Sequence, residues 1–167
     1  MGAALPDILA EKLSVIFIGI NPGLTAAAAG HHFVSGTNRF WRAIHGAGFT
    51  PRQISAQNDR TILQHGYGLT TMVVRPTARA DEISAREFLA EAVRFEAKIA
   101  RLKPRFAAFL GKPAYCALSG QRRITWGPQP VSFGGASVWV LPNPSGRNRA
   151  FSLDQLVDAY RQFYLAT

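Results

Sequence analysis

The sequence predicts an α/β protein, a three-layer α/β/α sandwich around a central, mostly parallel sheet of about four or five strands. Short apolar runs alternate along the chain with amphipathic segments of helical period, which is the pattern of parallel strands joined by helices. The chain has 167 residues, 47% of them hydrophobic, and this is the size and composition of one packed domain. We therefore assign residues 1–167 to a single domain.

Four apolar runs predict the strands. They are SVIFIGI (14–20), GLTTMVV (68–74), RFAAFLG (105–111) and SVWVLPN (137–143). β-Branched and aromatic residues in these runs favour extended backbone, and turn-forming residues follow the first and last of them. None approaches the roughly 20 apolar residues that a membrane-spanning helix needs, so we expect no membrane span.

Two capping boxes predict the longest helices. Ser84 with Glu87 opens a helix that runs to Pro104, and Ser152 with Gln155 opens a C-terminal helix. Each carries an apolar stripe at helical spacing, which we expect to pack on the sheet. Shorter helices are predicted over 38–46, 58–65 and 113–119.

The charge balance favours a polyanionic partner. Nineteen Lys and Arg residues against ten Asp and Glu residues give a net charge of +9 and a pI near 10.6. Arg outnumbers Lys fifteen to four, and guanidinium groups match phosphate geometry with paired hydrogen bonds. Nucleic acid is therefore favoured over a diffuse membrane surface, the alternative being a basic surface that binds nothing. The N-terminal segment lacks the features of a leader, so we expect an intracellular, soluble protein.

Similar turns follow the first and last apolar runs, INPG at 20–23 and LPNPSG at 141–146. Taken singly, each is ordinary turn sequence. In an open parallel sheet, however, the turns at the carboxyl ends of the strands face one ligand-binding crevice, so Asn21 and Asn143 could converge there. A carboxamide has both a donor and an acceptor, so the pair could bind a planar ligand such as a pyrimidine edge.

Four motifs carry a resemblance to a known family. GINPG at 19–23, Phe33, NRFW at 38–41 and NPSGxxR at 143–149 together resemble the mismatch-specific uracil (uracil/thymine) DNA glycosylases, family 2 of the uracil-DNA glycosylase superfamily. Motif order and spacing are kept over roughly residues 13–165, with support from residues 75–77, 111–112 and 126–127. GINPG alone would be a weak indication, but its combination with the other motifs is specific.

The resemblance implies the superfamily's fold and an enzyme that flips uracil out of double-stranded DNA and hydrolyses its N-glycosidic bond, leaving an abasic site. G·U mismatches would be preferred because a mispaired uracil resists flipping least, and other damaged or mismatched pyrimidines are further candidate substrates. No lysine lies near Asn21 to act as a Schiff-base nucleophile, so a monofunctional glycosylase is expected. It would act as a monomer with no metal and no organic cofactor.

The same resemblance implies roles for individual residues. Asn21 would position the water that attacks the sugar, and Phe33 resembles the aromatic residue on which the flipped base stacks. Backbone N–H groups around Ile20 and Gly23 would bind the base carbonyl. Thr71 lies where the resemblance places a residue next to the pocket, although an ordinary strand Thr is the alternative.

Residues 143–149, here named the insertion loop, resemble the family's wedge, which fills the space left by the extruded nucleotide. Relatives commonly carry an apolar residue where this chain has Arg147, which could instead hydrogen-bond to the opposite guanine, while Arg149 would meet a phosphate. A solvated basic turn is the alternative. The residues predicted to contact DNA are Ser145, Gly146, Arg147, Asn148 and Arg149.

Three further residues are candidates near the crevice. Asp81 could point its carboxylate toward Asn21 and activate water or support the sugar cation, the alternative being a solvated loop residue beside Arg79. His31 and His32 lack the ligand spacing of a metal site, so we expect them to contact DNA, line the pocket or lie exposed.

A non-catalytic DNA damage-recognition module with the same fold is the rival hypothesis, because GINPG contains no carboxylate and the insertion loop departs from the family pattern. Both hypotheses take duplex DNA containing uracil or a mismatched or damaged pyrimidine as the partner. We expect a cytoplasmic protein associated with nucleoid DNA.

Overall fold

The computed structural model describes residues 4–167, so the first residues of the N-terminal segment searched for a leader lie outside the described residues. The strands of this part of the chain are β1 (Val15–Gly19), β2 (Tyr67–Thr71), β3 (Phe106–Leu110), β4 (Gly127–Pro128) and β5 (Ser137–Leu141). The α-helices are α1 (Leu24–Ala29), α2 (Phe40–Ala47), α3 (Ala85–Leu102), α4 (Lys112–Ser119) and α5 (Leu153–Ala166). Two 3₁₀ helices cover Ala56–His65 and Ala80–Glu82.

The strands form one sheet in the order β2-β1-β3-β5-β4. β2, β1, β3 and β5 run parallel to one another, and β4 pairs antiparallel with β5. The predicted α/β fold with a mostly parallel sheet is therefore confirmed. The sequence did not predict β4 or α1, because each is a very short segment without a distinct periodic pattern.

Alternate residues of each central strand enter opposite layers of the core. In β1, Val15 and Phe17 pack with α2 and α5, whereas Ile16 and Ile18 pack with α3 and α4. β3 and β5 follow the same alternation, which is why both faces of these strands are apolar. The result is the three-layer arrangement of helices, sheet and helices.

Both predicted capping boxes lie at helix starts. The Ser84 side chain accepts a hydrogen bond from the Glu87 amide at the start of α3, and Ser152 and Gln155 cap α5 reciprocally. Each helix therefore begins where the sequence predicts. None of the helices between residues 4 and 167 is long and apolar enough to cross a membrane.

The parallel strands all end at one edge of the sheet. The segments that leave this edge are the turn after β1, the connection after β2, Gly111 after β3 and the insertion loop after β5. A Cβ on Gly111 would lie 3.6 Å from both Asn143 Cβ and Ile20 Cδ1, so the three strand ends touch. The topology thus brings the two Asn-Pro turns to one place.

Candidate active site

A cavity of about 440 Å³ opens at the carboxyl edge of the sheet. Four segments line it, namely the turn after β1, residues 32–38, the connection after β2 and the start of the insertion loop. Among the predicted site residues, those that line it are Ile20, Asn21, Gly23, Phe33, Thr71, Asn143, Ser145, Gly146 and Arg147. Its volume lies in the range of small-molecule sites.

The carboxamide of Asn21 is fixed through its nitrogen. Nδ2 donates one hydrogen bond to the Arg75 carbonyl and one to Thr77 Oγ1, each over 2.8 Å. Both amide hydrogens are therefore engaged in the protein. No group of residues 4–167 donates to Oδ1, so the side chain offers the cavity an acceptor.

Thr77 holds Asn21 in this orientation. Its hydroxyl donates to the Arg79 carbonyl over 2.6 Å, which leaves the oxygen lone pairs to accept from Asn21. The Thr77 amide donates to the Pro22 carbonyl over 3.1 Å, so the connection after β2 is tied to the turn after β1. Thr77 is only 4% exposed. The sequence showed Thr77 only as part of a supporting motif, because this contact joins distant segments.

Phe33 forms a platform beside the cavity. Its ring stacks on Phe40 with centroids 4.2 Å apart and an interplanar angle of 24°, and Phe40 is fully buried. The backbone of Phe33 has φ +54°, a left-handed conformation that costs a non-glycine residue about 1–2 kcal/mol. This strain is maintained by the packing around the ring, and such strained residues cluster at functional sites.

The two asparagines present opposite groups to the cavity. Asn143 Oδ1 accepts the Ser145 amide over 2.9 Å, so its Nδ2 is the end free to donate to a ligand, whereas Asn21 keeps its oxygen free. The Thr71 hydroxyl donates to the Val73 carbonyl over 2.9 Å and thus offers lone pairs. A ligand with both N–H and carbonyl groups would find hydrogen-bond partners here. Each Asn, however, offers the ligand either an acceptor or a donor, rather than both as its carboxamide would allow.

Amides that could receive a base carbonyl lie at the start of α1. Gly23 is the N-cap of this helix, and its carbonyl accepts from Ala27 as the first helical hydrogen bond. The first amides of a helix have no partner within the helix, but the Leu24 amide, the first of α1, already donates to the Thr77 carbonyl over 3.2 Å and is not available to a ligand. Ile20 lines the same wall of the cavity, while its carbonyl pairs with the Val73 amide.

The two histidines occupy different environments. His32 is 2% exposed and lines the cavity, and its Nε2 lies 2.7 Å from the Pro6 carbonyl. Burial lowers the pKa of His32, which favours a neutral ring that donates from Nε2. His31 lies at the surface with Nδ1 3.2 Å from the buried carboxylate of Asp59, which also accepts the His32 amide. Within residues 4–167 no group of three or more His, Cys, Asp or Glu side chains could hold a metal ion.

Asp81 does not face the crevice, which corrects the expectation for its carboxylate. It lies in the short 3₁₀ helix, its side chain is 72% exposed, and it pairs with Arg79 Nε over 3.0 Å. The cavity wall passes through Arg79 and Ala80 and leaves Asp81 outside. Of the residues that the structure describes, no Asp or Glu lines the cavity.

The insertion loop is folded on itself. Asn148 Nδ2 donates to the Asn143 carbonyl over 2.9 Å, and Ser145 Oγ accepts the Arg147 amide over 3.2 Å. Arg147 lies exposed at the rim of the cavity, and Arg149 is exposed beyond it. Asn148 and Arg149 do not line the cavity. The loop therefore has one part that faces the cavity and a second, basic part that faces outward.

Comparisons with known proteins agree with this architecture. A family model described as the uracil DNA glycosylase superfamily matches residues 6–164. The chain is also similar to the solution NMR structure of a protein from Methanosarcina acetivorans that is named provisionally as a uracil DNA glycosylase. That match has a TM-score of 0.64 and 20% sequence identity and covers 98% of each chain. At this identity the structural likeness supports the fold alone, whereas the family model spans nearly the whole chain.

Proposed function

The chain belongs to the uracil DNA glycosylase superfamily, whose members are hydrolases that act on DNA, and from this premise we propose that it is a mismatch-specific enzyme of family 2. It removes uracil from duplex DNA, preferentially from G·U pairs, and leaves an abasic site without cutting the strand. The observation that carries the proposal is the Asn21 carboxamide, fixed through its nitrogen with its oxygen free in a cavity.

Substrate binding begins with flipping of the nucleotide, since a base inside a duplex cannot reach the cavity. A G·U pair yields its uracil more readily than a regular pair, which favours mismatches. The flipped ring stacks on Phe33, and base–aromatic stacking contributes about 1–3 kcal/mol. Asn143 Nδ2 donates to a base carbonyl, while the Thr71 oxygen accepts from an N–H group.

Hydrolysis uses Asn21 to orient water rather than to deprotonate it. Oδ1 accepts a hydrogen bond from the attacking water, whose oxygen forms a bond to the sugar C1′ as the C1′–N1 bond breaks. The bonding electron pair leaves with uracil, and a proton from the attacking water is released while uracil N1 takes up one from solvent. Backbone amides around Ile20 and Gly23 stabilise the departing anion. Because an amide is a poor base, we expect slow turnover.

The insertion loop fills the space that the flipped nucleotide leaves. Arg147, at the rim of the cavity, enters the duplex and contacts the opposite guanine, and Arg149 binds a phosphate. The enzyme acts as a monomer on DNA in the cytoplasm. Neither a metal nor an organic cofactor takes part in the proposed reaction.

A non-catalytic damage-recognition module is the second candidate. The observation that favours it is the lack of an Asp or Glu among the described residues that line the cavity, since such a carboxylate could act as a general base toward water. Such a module would bind uracil-containing duplex without releasing the base.

Base release from a labelled duplex with one G·U pair, under single-turnover conditions and followed by alkali, decides between the two. We expect cleavage by the wild type and loss of cleavage by Asn21→Ala. Cleavage retained in Asn21→Ala would move the chemistry to another residue. No cleavage by the wild type on any uracil substrate would favour the binding module.

A further inference from the structure

Arg39 donates to four backbone carbonyls, three in the insertion loop and one just beyond it, at Phe151. Nη2 donates to Ser145 over 2.8 Å and to Asn148 over 2.9 Å, Nη1 donates to Phe151 over 2.5 Å, and Nε donates to Pro144 over 3.4 Å. The Arg39 amide adds a hydrogen bond to the Pro144 carbonyl over 3.0 Å. One side chain thereby fixes residues more than one hundred positions away along the sequence.

These hydrogen bonds occupy most of the side-chain N–H donors of Arg39. Arg39 has no carboxylate partner among residues 4–167, and its guanidinium is half-buried under the loop. Nε and Nη2 already donate to the loop and Nη1 to the Phe151 carbonyl just beyond it, so these donors are directed at the protein rather than at a phosphate. The positive charge is therefore used to satisfy carbonyls of an irregular segment.

The anchor point of Arg39 is rigid. Arg39 is the N-cap of α2. The next residue, Phe40, is fully buried beneath the Phe33 platform. The loop is also held at Gly146, where an added Cβ would lie 2.7 Å from Thr37 Cβ, so loop and anchor segment are in close contact. The segment around Arg39 thus supports both the insertion loop and the Phe33 platform.

We propose that Arg39 is a positioning residue that holds the insertion loop in the shape that penetrates the duplex, without itself touching DNA or the base. The inference rests on the proposed function and extends it to a residue outside the pocket lining. A loop fixed before binding loses less conformational entropy on insertion, which favours both flipping and excision.

The planar fork of arginine is essential to this role. A lysine at position 39 would keep the charge but offer a single nitrogen, which cannot reach four carbonyls in one geometry. Arg39→Lys therefore separates holding of the loop from simple attraction of DNA. Arg42 is a matched control, because it is an exposed arginine on the helix that Arg39 precedes, and Arg42→Met removes the same charge.

Limited trypsin digestion tests the structural half of the proposal without requiring excision. The bonds after Arg147 and Arg149 lie in the loop, so a released loop is cut faster there. We expect Arg39→Met and Arg39→Lys to be cleaved at these two bonds on the order of 10-fold faster than the wild type and Arg42→Met. Unchanged cleavage would overturn the proposal. If Arg39→Met is cut throughout because it does not fold, Arg39→Lys decides the question.

Single-turnover excision from G·U duplex tests the functional half through a double-mutant cycle with Arg147→Ala. If Arg39 acts through the loop, Arg39→Lys slows excision on the order of 10-fold alone but much less once Arg147 is removed. Fully multiplicative effects, or an Arg39→Lys rate equal to wild type, would overturn the proposal. Should the wild type excise nothing, the proposed function fails, while the digestion still decides whether Arg39 holds the loop.

Discussion

Asn21 and Thr77 lie 56 positions apart in sequence, yet the Asn21 Nδ2 donates a hydrogen bond to Thr77 Oγ1 over 2.8 Å. The Thr77 hydroxyl donates its own hydrogen bond to the Arg79 carbonyl, so its oxygen can only accept from Asn21. Together with the hydrogen bond from Asn21 Nδ2 to the Arg75 carbonyl, this chain of two hydrogen bonds holds the amide with its oxygen toward the cavity.

Replacing Thr77 by Val tests that orientation. Val keeps the shape of Thr but cannot accept from Asn21, and loss of a hydrogen bond worth about 0.5–1.5 kcal/mol slows single-turnover excision about 2- to 12-fold. Thr77→Ser retains the hydroxyl and is expected to stay near the wild-type rate. DNA affinity, measured by fluorescence anisotropy, should change little in either variant. Equal rates for the Val and Ser variants would contradict the orienting role.

Phe33 is expected to support catalysis through its ring. Phe33→Leu keeps an apolar side chain but loses stacking worth about 1–3 kcal/mol, so kcat/KM for a G·U duplex should fall about 5- to 150-fold. Phe33→Tyr preserves the aromatic face and is the control. Thermal unfolding of both variants separates a loss of stacking from a loss of the contact with Phe40. A Leu variant as active as the Tyr variant would argue against stacking.

Substitution of Asp81 should leave excision unchanged. Its carboxylate is exposed and pairs with Arg79, and such a surface pair contributes about 0–1 kcal/mol to stability. We expect Asp81→Ala to keep single-turnover rates within about 2-fold of wild type and the free energy of unfolding within about 1 kcal/mol. A loss of activity as large as that of Asn21→Ala would show that Asp81 takes part in the reaction.

The sheet and its main helices could be predicted because their signals are local. The apolar runs and the capping boxes at Ser84 and Ser152 are read from neighbouring residues, and the parallel topology then places Asn21 and Asn143 at one edge. The orientation of Asp81 could not be predicted, since its position two residues after Arg79 fits either a pocket-facing or a paired side chain. Contacts between distant segments, such as those of Thr77 and Arg39, could not be predicted because they produce no periodic pattern in the sequence.

His32 should make stability depend on pH. Burial lowers its pKa in the folded protein below the ordinary value of 6.5. The hydrogen bond to the Pro6 carbonyl opposes this effect most, followed by Asp59 and Asp7, whereas His31 reinforces it. As the pH falls below about 6.5, the unfolded chain gains a proton at His32 before the folded chain does, so the free energy of unfolding decreases. It decreases further until the pH reaches the lowered folded-state value, and above about pH 6.5 the residue has no effect.

Urea unfolding between about pH 7.5 and about pH 5 measures this dependence. His32→Gln can still donate to the Pro6 carbonyl but does not titrate, so its stability should fall less steeply with decreasing pH than that of the wild type. Comparison of the two proteins cancels the contributions of the other titratable groups. Identical pH slopes would show that folding does not shift the pKa of His32.

Salt dependence should reveal which arginines bind phosphate. Each phosphate contact releases counterions, so removing one reduces the slope of log K against log salt concentration by about 1. We expect this decrease for Arg149→Ala, whose side chain is exposed on the insertion loop. Arg101, which is also exposed, is the control. It lies at the end of α3, at the opposite edge of the sheet, because β3 begins just beyond this helix end. Arg101→Ala should leave the slope unchanged, and equal slopes for both variants would place the DNA away from the insertion loop.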